Sequence, residues 1–295
     1  MVKINYSYKY LLFFFALIAL ISFCEISNSQ TRDPACTAVI TIPIVESQCE
    51  TQPTTQKIIF HKVAFCTAIP TAPTSTTAIG MTNCTTVFEN TAGATVSIEK
   101  GVGAIPAGTF TDPPNGTYTY AYVELSPTIT YKANLVFNAG TGALAQSSLG
   151  GAEIGPNCHT NGTAYRYWDF LKGITCTGNV VTEAVDTINF INSFDNNEAL
   201  YGGTLNDGTN PGITHLYLIQ SNGTLASGAT SGTDGNVAKL IFFLPMTANI
   251  TADTTSYNLL YANERGMIVW KNADGAGNFR IGFSAAYFDM IFEIK

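Results

Sequence analysis

Six cysteines beyond residue 30 constrain most strongly how this chain of 295 residues can fold. An even number of cysteines in an exported chain is typical of a disulfide framework, and six of them allow fifteen pairings. We favour pairing between sequence neighbours because each such pair brackets one loop of hairpin size: Cys36 with Cys49, Cys66 with Cys84, and Cys158 with Cys176. No two of them have the spacing of a zinc knuckle, which argues against structural zinc.

The N-terminal segment predicts that the chain is exported. Lys3 and Lys9 precede the apolar run LLFFFALIALISF (11–23), and small residues follow it. This order is typical of a secretory signal peptide, which we assign to residues 1–29. The run is shorter than the ~20 residues of a membrane-spanning helix. An uncleaved anchor and a lipoprotein attached through Cys24 are the alternatives. No later stretch is apolar enough to span a bilayer, so we predict a secreted or cell-surface protein.

The charge balance narrows the range of partners. The chain has 14 Lys and Arg against 21 Asp and Glu, a net charge of −7. An acidic surface repels the phosphates of nucleic acids and anionic membranes. We therefore predict neither nucleic acid nor a membrane surface as partner. Only 12% of the residues are charged, so Thr, Ser, Asn and Gly must supply most of the surface polarity.

The hydrophobic pattern indicates strands. Runs rich in Val, Ile, Thr, Tyr and Phe alternate with turns of Gly, Asn, Asp and Pro, and helical periodicity is scarce. We predict an all-β fold in which a disulfide-stapled β-sandwich (30–140) is followed by a second β-rich domain (141–295). One large sandwich is the alternative.

A row of tyrosines lies in NGTYTYAYVEL (115–125) at alternate positions: Tyr118, Tyr120 and Tyr122. Pro127 predicts a two-residue hairpin turn in the following VELSPTIT. That hairpin would place the tyrosines opposite Phe137, Leu135 and Ala133, on a core-facing surface. The intervening residues, including Ala121 and Val123, would lie on a mostly polar face. A three-residue loop would reverse the two faces.

The same stretch carries a family resemblance. IPAGTFTDPPNGTYTYAYVELSPTITYKANLVF (105–137) resembles exported bacterial β-sandwich domains of the transthyretin-like kind. In those domains a Pro-x-Gly turn feeds a Gly-Thr-Tyr-Thr strand that crosses the core. The resemblance implies a surface or secreted module connected with adhesion or cell-envelope architecture. It implies no catalytic residue.

Catalytic motifs are missing from the sequence. Three histidines are scattered along it, and there is no G-x-S-x-G elbow, Walker motif or dinucleotide glycine motif. We predict that the protein is not an enzyme. An unrecognised hydrolase would require His159 to meet a carboxylate in a cleft.

Two groups of residues are candidates for ligand binding. The stretch between Cys158 and Cys176 could stack a sugar or plug one end of the fold, with the aromatic residues Tyr165, Tyr167, Trp168 and Phe170. Asn- and Asp-rich turns could bind calcium through oxygen ligands, and the first to test are Asp195, Glu198 and Asp207. Ordinary β-turn chemistry explains such turns equally well. No other cofactor is predicted.

Beyond the segment assigned as signal peptide, five Asn-x-Ser/Thr sequons occur, close to the number that this composition gives by chance: Asn83, Asn115, Asn161, Asn222 and Asn249. They predict exposed sites without establishing glycosylation. Together these features predict a non-catalytic structural or adhesion protein that assembles with itself or with other surface proteins. A carbohydrate-binding module that uses the aromatic loop is the alternative.

Overall fold

A computed structural model describes residues 35–36, 40–41, 48–99, 102–103, 106–138, 145–146, 153–154, 157–166, 172–177, 184–190, 215–226, 229–230, 233–234, 236–254, 257–264, 266–273, 279–285 and 289–294. Within these ranges the regular secondary structure is entirely β, with several antiparallel sheets. The predicted all-β class is confirmed, whereas the sandwich arrangement stays a prediction. No helix in the described ranges is long and apolar enough to cross a membrane.

The strands follow in chain order. The first eleven are β1 (Ile40–Thr41), β2 (Gln48–Thr51), β3 (Thr55–Cys66), β4 (Cys84–Glu99), β5 (Val102–Gly103), β6 (Thr109–Phe110), β7 (Gly116–Lys132), β8 (Asn134–Asn138), β9 (Ala145–Gln146), β10 (Glu153–Ile154) and β11 (Asn157–Thr160). The others are β12 (Tyr165–Arg166), β13 (Ile174–Thr177), β14 (Thr187–Phe190), β15 (His215–Ile219), β16 (Ala229–Thr230), β17 (Thr233–Asp234), β18 (Lys239–Ile250), β19 (Tyr257–Ala262), β20 (Met267–Ala273), β21 (Phe279–Ala285) and β22 (Asp289–Ile294).

The largest sheet has nine strands and is organised around β7. Strand β3 pairs antiparallel with one side of β7 along most of its length. The other side is shared: β18 pairs with residues 116–125 and β14 with residues 128–131. Strand β4 pairs with the far side of β3 and is flanked by the short strands β5 and β6. We call these nine strands the central sheet.

Strand β7 continues through VELSPTIT without a turn, so the predicted hairpin is wrong. Ile58 pairs with Ile129 and Phe60 with Leu125, which leaves residues 126–128 of β7 opposite Ile59 alone. Pro127 therefore lies in a β-bulge, a position that tolerates proline because a bulge needs no ladder hydrogen bond from it. At this bulge β7 exchanges its partner β18 for β14.

A second bulge in β4 depends on a glycine. Residues 90–93 of β4 stand opposite His61 alone. Gly93 has a φ of 89° there, in the left-handed region that other residues rarely adopt. A Cβ at this position would lie 2.5 Å from Cγ2 of Ile59 and 2.9 Å from Cε1 of His61. Any other residue at position 93 would therefore disturb the pairing of β3 with β4.

One face of the central sheet, the inner face, forms most of the larger hydrophobic cluster. Ile58 and Phe60 of β3 join Val123, Leu125 and Ile129 of β7 there, all essentially fully buried. The same cluster contains Met267, Val269 and Phe283 from the sheet β2–β20–β21, and Cys158 and Cys176 from β11 and β13. The core therefore draws on strands from both ends of the chain.

The proposed boundary near residue 140 separates strands that pair with each other. Strand β7 lies before it, and its partners β14 and β18 lie after it. The division into residues 30–140 and 141–295 stays a prediction. Any two units drawn at that point would share the central sheet.

The predicted disulfide pairing is confirmed for all three neighbouring pairs. Cys66 lies directly opposite Cys84 where β3 pairs with β4, and Cys158 lies opposite Cys176 where β11 pairs with β13. In both pairs the Cα atoms are 4.0 Å apart. The Cys36–Cys49 pair has a Cα separation of 5.0 Å and is held beside β2 by a hydrogen bond from Cys36 N to Glu50 O.

Candidate recognition surface

The second face of the central sheet, the outer face, divides into two halves at Pro127. Alternate residues of β7 point to opposite faces, and those that face outward include Tyr122 and Glu124 before the proline and Thr128 and Thr130 after it. The first half is covered by other parts of the chain and is called the covered half. The second half, on which the outward residues are partly exposed, is called the open half.

The covered half carries the smaller hydrophobic cluster. Tyr122 of β7, Phe243 of β18 and Tyr217 of β15 form its aromatic centre. The ring centroid of Phe243 lies 6.2 Å from that of Tyr122 and 5.7 Å from that of Tyr217, with tilted planes. Such tilted arrangements are favourable for aromatic pairs. Ala64 and Cys66 of β3 complete the cluster at its edge.

A disulfide-closed loop covers this cluster. Residues 67–83 leave and re-enter the sheet at the bonded pair Cys66–Cys84, and Ile79 and Met81 pack against the cluster. The loop is tied to the turn that follows β15: Ile79 N donates to Gly223 O at 3.2 Å, and Leu225 N donates to Thr74 O at 2.9 Å. The disulfide and these backbone bonds hold the cover in place.

A buried carboxylate lies between the covered half and the bulge. Glu124 is 7% exposed and accepts a hydrogen bond of 2.8 Å from the hydroxyl of Tyr122 on Oε2. Its Oε1 pairs with the ammonium of Lys239. Burial raises the pKa of Tyr122 above its ordinary value, and the adjacent Glu124 charge raises it further. Tyr122 therefore stays a neutral donor at physiological pH, a structural role rather than that of a base.

The tyrosine row divides between two clusters. Tyr122 is buried in the smaller cluster and Tyr120 is partly buried beside it. Tyr118 belongs to the larger cluster, where its ring centroid lies 5.8 Å from that of Phe65. The predicted core location is thus confirmed for Tyr118 and Tyr122. The predicted polar face is wrong at Ala121 and Val123, which are fully buried, because β7 has a core on both sides here.

The open half presents polar side chains across four paired strands. Ser97, Lys57, Thr130 and Ile188 follow one another directly across β4, β3, β7 and β14. Residues directly opposed in a sheet share a face, and each of these four is partly exposed or exposed. A neighbouring row consists of Glu99, Thr55 and Lys132. The inward residues between the two rows are buried, which fixes the assignment of the face.

An ion-pair cluster lies at one side of the open half. The carboxylate of Asp186 pairs with the ammonium of Lys57 through Oδ2 and lies 3.7 Å from that of Lys132 through Oδ1. All three side chains are more than a third exposed, so water screens the attraction. The three groups carry one net positive charge, and the carboxylate of Glu99 lies two strands from Lys132 on the same face. The cluster can offer charge and hydrogen bonds to a partner.

The predicted aromatic loop is only partly within the described residues. Tyr165 is 4% exposed. Its hydroxyl donates to Phe283 O at 2.5 Å and pairs with the hydroxyl of Tyr131. The ring is therefore part of the core and is not free to stack on a sugar, which corrects the expectation for this residue. Tyr167, Trp168 and Phe170 lie outside the described residues, and for them the stacking role stays a prediction.

The predicted calcium ligands Asp195, Glu198 and Asp207 also lie outside the described residues. Within the described part of the chain, no group of three or more His, Cys, Asp or Glu side chains is arranged to hold a metal ion. The calcium site therefore stays an untested prediction.

No sequence pattern indicates the two polar groups that the fold assembles. Glu124 and Lys239 are brought together by the pairing of β7 with β18, and Lys57 and Asp186 by strands β3 and β14. No local motif joins partners so far apart in sequence. An unusual glutamate between apolar residues in YAYVEL was the only local signal for a buried carboxylate.

Comparison with known proteins found no matching family model, no matching curated protein and no matching solved structure. The transthyretin-like resemblance stays a prediction.

Proposed function

We propose that this protein is a secreted or cell-surface structural or adhesion protein without catalytic activity, and that the open half of the central sheet is its contact surface. The observation that carries the proposal is the row Ser97, Lys57, Thr130 and Ile188 across four strands. It combines hydroxyl, charged and apolar groups on a backbone paired on both sides, a composition suited to binding a partner.

The disulfides support the extracellular part of the proposal. Three intramolecular bonds are consistent with an oxidising compartment, since such bonds are rare in the reducing cytosol. One of them, Cys66–Cys84, also closes the loop that covers the outer face. The open half lies on strands that are paired on both sides, and a surface that is ordered before binding loses little entropy when a partner binds.

Further copies of the same chain are the partner that we propose first. Strand β22 pairs with β19 inside its own chain, so the last described strand completes a sheet there. In the described residues these two strands form a two-stranded sheet, in which each has one side without a partner strand. Edges of this kind can pair with another chain and would complement contacts made through the open half.

Self-assembly is tested by sedimentation and negative-stain electron microscopy of the secreted protein. We expect filaments, sheets or discrete large assemblies. The substitution Thr130→Arg places a bulky charge at the centre of the open half without entering the core, and it should reduce assembly. The matched control Thr247→Arg makes the same change at an exposed position of β18 and should leave assembly intact.

A monomeric wild-type protein would refute self-assembly through this surface. Equal effects of the two substitutions would refute the role of the open half. In either case the carbohydrate-binding alternative becomes the leading one, and a glycan array with wild type and Trp168→Ala would test it directly.

A further inference from the structure

We propose that the chain carries N-linked glycans and that three of them cover one end of the central sheet, at Asn83, Asn115 and Asn249. This inference depends on the export that the proposed function includes, because the transferring enzyme is met on the secretory route. It goes beyond the sequence motif, since five sequons lie after residue 29 and the fold gives them different surroundings.

Two of the sequons lie side by side. Asn249 of β18 pairs directly with Thr117 of β7, the third residue of the sequon that begins at Asn115. The Thr117 hydroxyl donates to Oδ1 of Asn249 at 3.3 Å. Both asparagines are exposed. Sequons 134 positions apart in sequence therefore meet where β7 begins and β18 ends.

The third sequon lies at the same end of the sheet. Thr67, just after β3, donates its backbone N–H to Asn83 O at 2.9 Å. The carbonyl of Thr67 in turn accepts a hydrogen bond of 3.0 Å from the hydroxyl of Thr119 on β7. Asn83 is exposed. The order of strands β18, β7, β3 and β4 separates Asn249 from Asn83 by three strand spacings, about 14 Å.

Asn161 provides the contrasting case. Its side-chain nitrogen donates to Lys172 O at 3.1 Å and to Thr175 Oγ1 at 3.3 Å. Both amide hydrogens are thus engaged within the fold, between β11 and β13. A sugar on this nitrogen would remove one hydrogen and displace the neighbouring chain. The structure therefore assigns Asn161 as a sequon that stays unmodified.

Asn222 is exposed as well but lies apart from the other three, on the turn that holds the cover of the outer face. Its Oδ1 accepts hydrogen bonds from the backbone N–H of Thr224 at 3.0 Å and from its hydroxyl at 2.8 Å. We expect a fourth glycan here.

The modification is a group transfer from a lipid-pyrophosphate-linked oligosaccharide. The asparagine Nδ2 forms a bond to the anomeric carbon of the sugar. The bond from that carbon to the pyrophosphate oxygen breaks, the lipid pyrophosphate leaves with the bonding electrons, and one Nδ2 proton passes to a base of the transferring enzyme. The product adds no charge and keeps one N–H.

Three glycans grouped at this end would exclude other proteins from the end of the sheet at which β7 begins. The open half starts after Pro127, at the opposite end of β7. The glycans would thus direct contacts with partners toward the open half and away from the β7–β18 end.

The experiment uses the full chain, secreted from a eukaryotic host, both with its own N-terminus alone and behind an added export leader. Purified protein is treated with peptide N-glycosidase in H2¹⁸O, which converts each glycosylated asparagine to ¹⁸O-labelled aspartate, and peptides are mapped by mass spectrometry. An untreated sample in the same water corrects for spontaneous deamidation, to which the Asn-Gly sequences at 115, 161 and 222 are prone.

We expect enzyme-dependent label at Asn83, Asn115, Asn249 and Asn222, and none at Asn161. The variants Asn115→Gln and Asn249→Gln should each remove one step of electrophoretic mobility, and Asn161→Gln should remove none. Label at fewer than two of the three clustered sites, or label at Asn161, would overturn the inference.

Expression with and without the added leader distinguishes failure of the glycan inference from failure of the proposed function. If the protein is secreted only behind the added leader, the export part of the proposed function fails. The label at each sequon can still be measured in that secreted protein. If both chains are exported without label, only the glycan inference fails.

Discussion

The two halves of the outer face lie on the same strand and have opposite surroundings. Before Pro127, β7 presents Tyr122 and Glu124 to a disulfide-closed cover; after it, β7 presents Thr128 and Thr130 to solvent. The inner face is buried along both halves. The difference shows that the cover sets the exposure of the outward residues: they are buried beneath it and partly exposed beyond it.

The largest effect should come from the aromatic centre of the covered half. Phe243→Ala removes a fully buried ring and should lower the free energy of unfolding by about 3–5 kcal/mol. Thr130→Ala in the open half should change it by less than about 0.5 kcal/mol. Denaturant unfolding of both variants measures the contrast, and equal losses would contradict the division into halves.

Removal of the cover's disulfide should have the next largest effect. Cys66→Ser with Cys84→Ser opens a loop closed over 18 residues, and we expect a loss of about 3 kcal/mol. The variant should also become susceptible to proteolysis within residues 67–83. As a control, Cys36→Ser with Cys49→Ser should destabilise the protein without making that loop a cleavage site.

The buried carboxylate should contribute less. Glu124→Gln keeps an acceptor for Tyr122 but loses the charge that pairs with Lys239, and it should cost about 1–2 kcal/mol because Lys239 is partly in water. Glu89→Gln, at the more exposed pair with Lys62, should cost less than about 0.5 kcal/mol. A larger loss at Glu89 than at Glu124 would argue against the burial-based ranking.

Alkaline pH should weaken the fold through its buried tyrosines. Burial raises the pKa of Tyr122, Tyr131 and Tyr217 above the ordinary value, which is about 10. Above pH ~10 the unfolded chain loses tyrosine protons that the folded chain keeps. The free energy of unfolding therefore keeps its full value below that pH and falls as pH rises. Each tyrosine contributes a slope of up to about 1.4 kcal/mol per pH unit. Tyrosinate absorbance should appear together with unfolding, and Tyr122→Phe should reduce the slope.

The smallest effect should come from the ion pairs of the open half. Asp186→Asn removes the negative charge that pairs with Lys57 and Lys132. It should lower the free energy of unfolding by at most about 1 kcal/mol at low salt. The difference from wild type should vanish near 1 M salt, where the screening length is about 3 Å. A loss that persists at high salt would indicate a packing role for Asp186.

The sequence predicted local features well and long-range pairing poorly. Neighbouring cysteines were paired correctly because each pair closes a short loop. The prediction at Pro127 is wrong because a proline between two strand-like runs fits a turn and a bulge equally well. Only the arrival of β14 and β18 on the same side of β7 decides between them, and both lie far along the chain.

The same limitation applies to the candidate surface. Alternation in TYTYAYVEL identifies two faces, but the burial of both at Tyr122 and Val123 depends on a cover from residues 67–83 and on a second sheet. The open half could not be predicted either, since Ser97, Lys57, Thr130 and Ile188 become neighbours only across four strands.

The shared edge of β7 also sets an order for assembly during synthesis. Strand β3 is made before β7 and can pair with it at once, whereas Leu125 must wait for Leu240, and Gly116 for Ile250. While the ribosome makes the intervening chain, one side of the longest strand has no partner, with Tyr120 and Tyr122 beside it. An unpaired aromatic edge of this length is prone to aggregation. The risk of aggregation during synthesis therefore lasts until β18 has been translated.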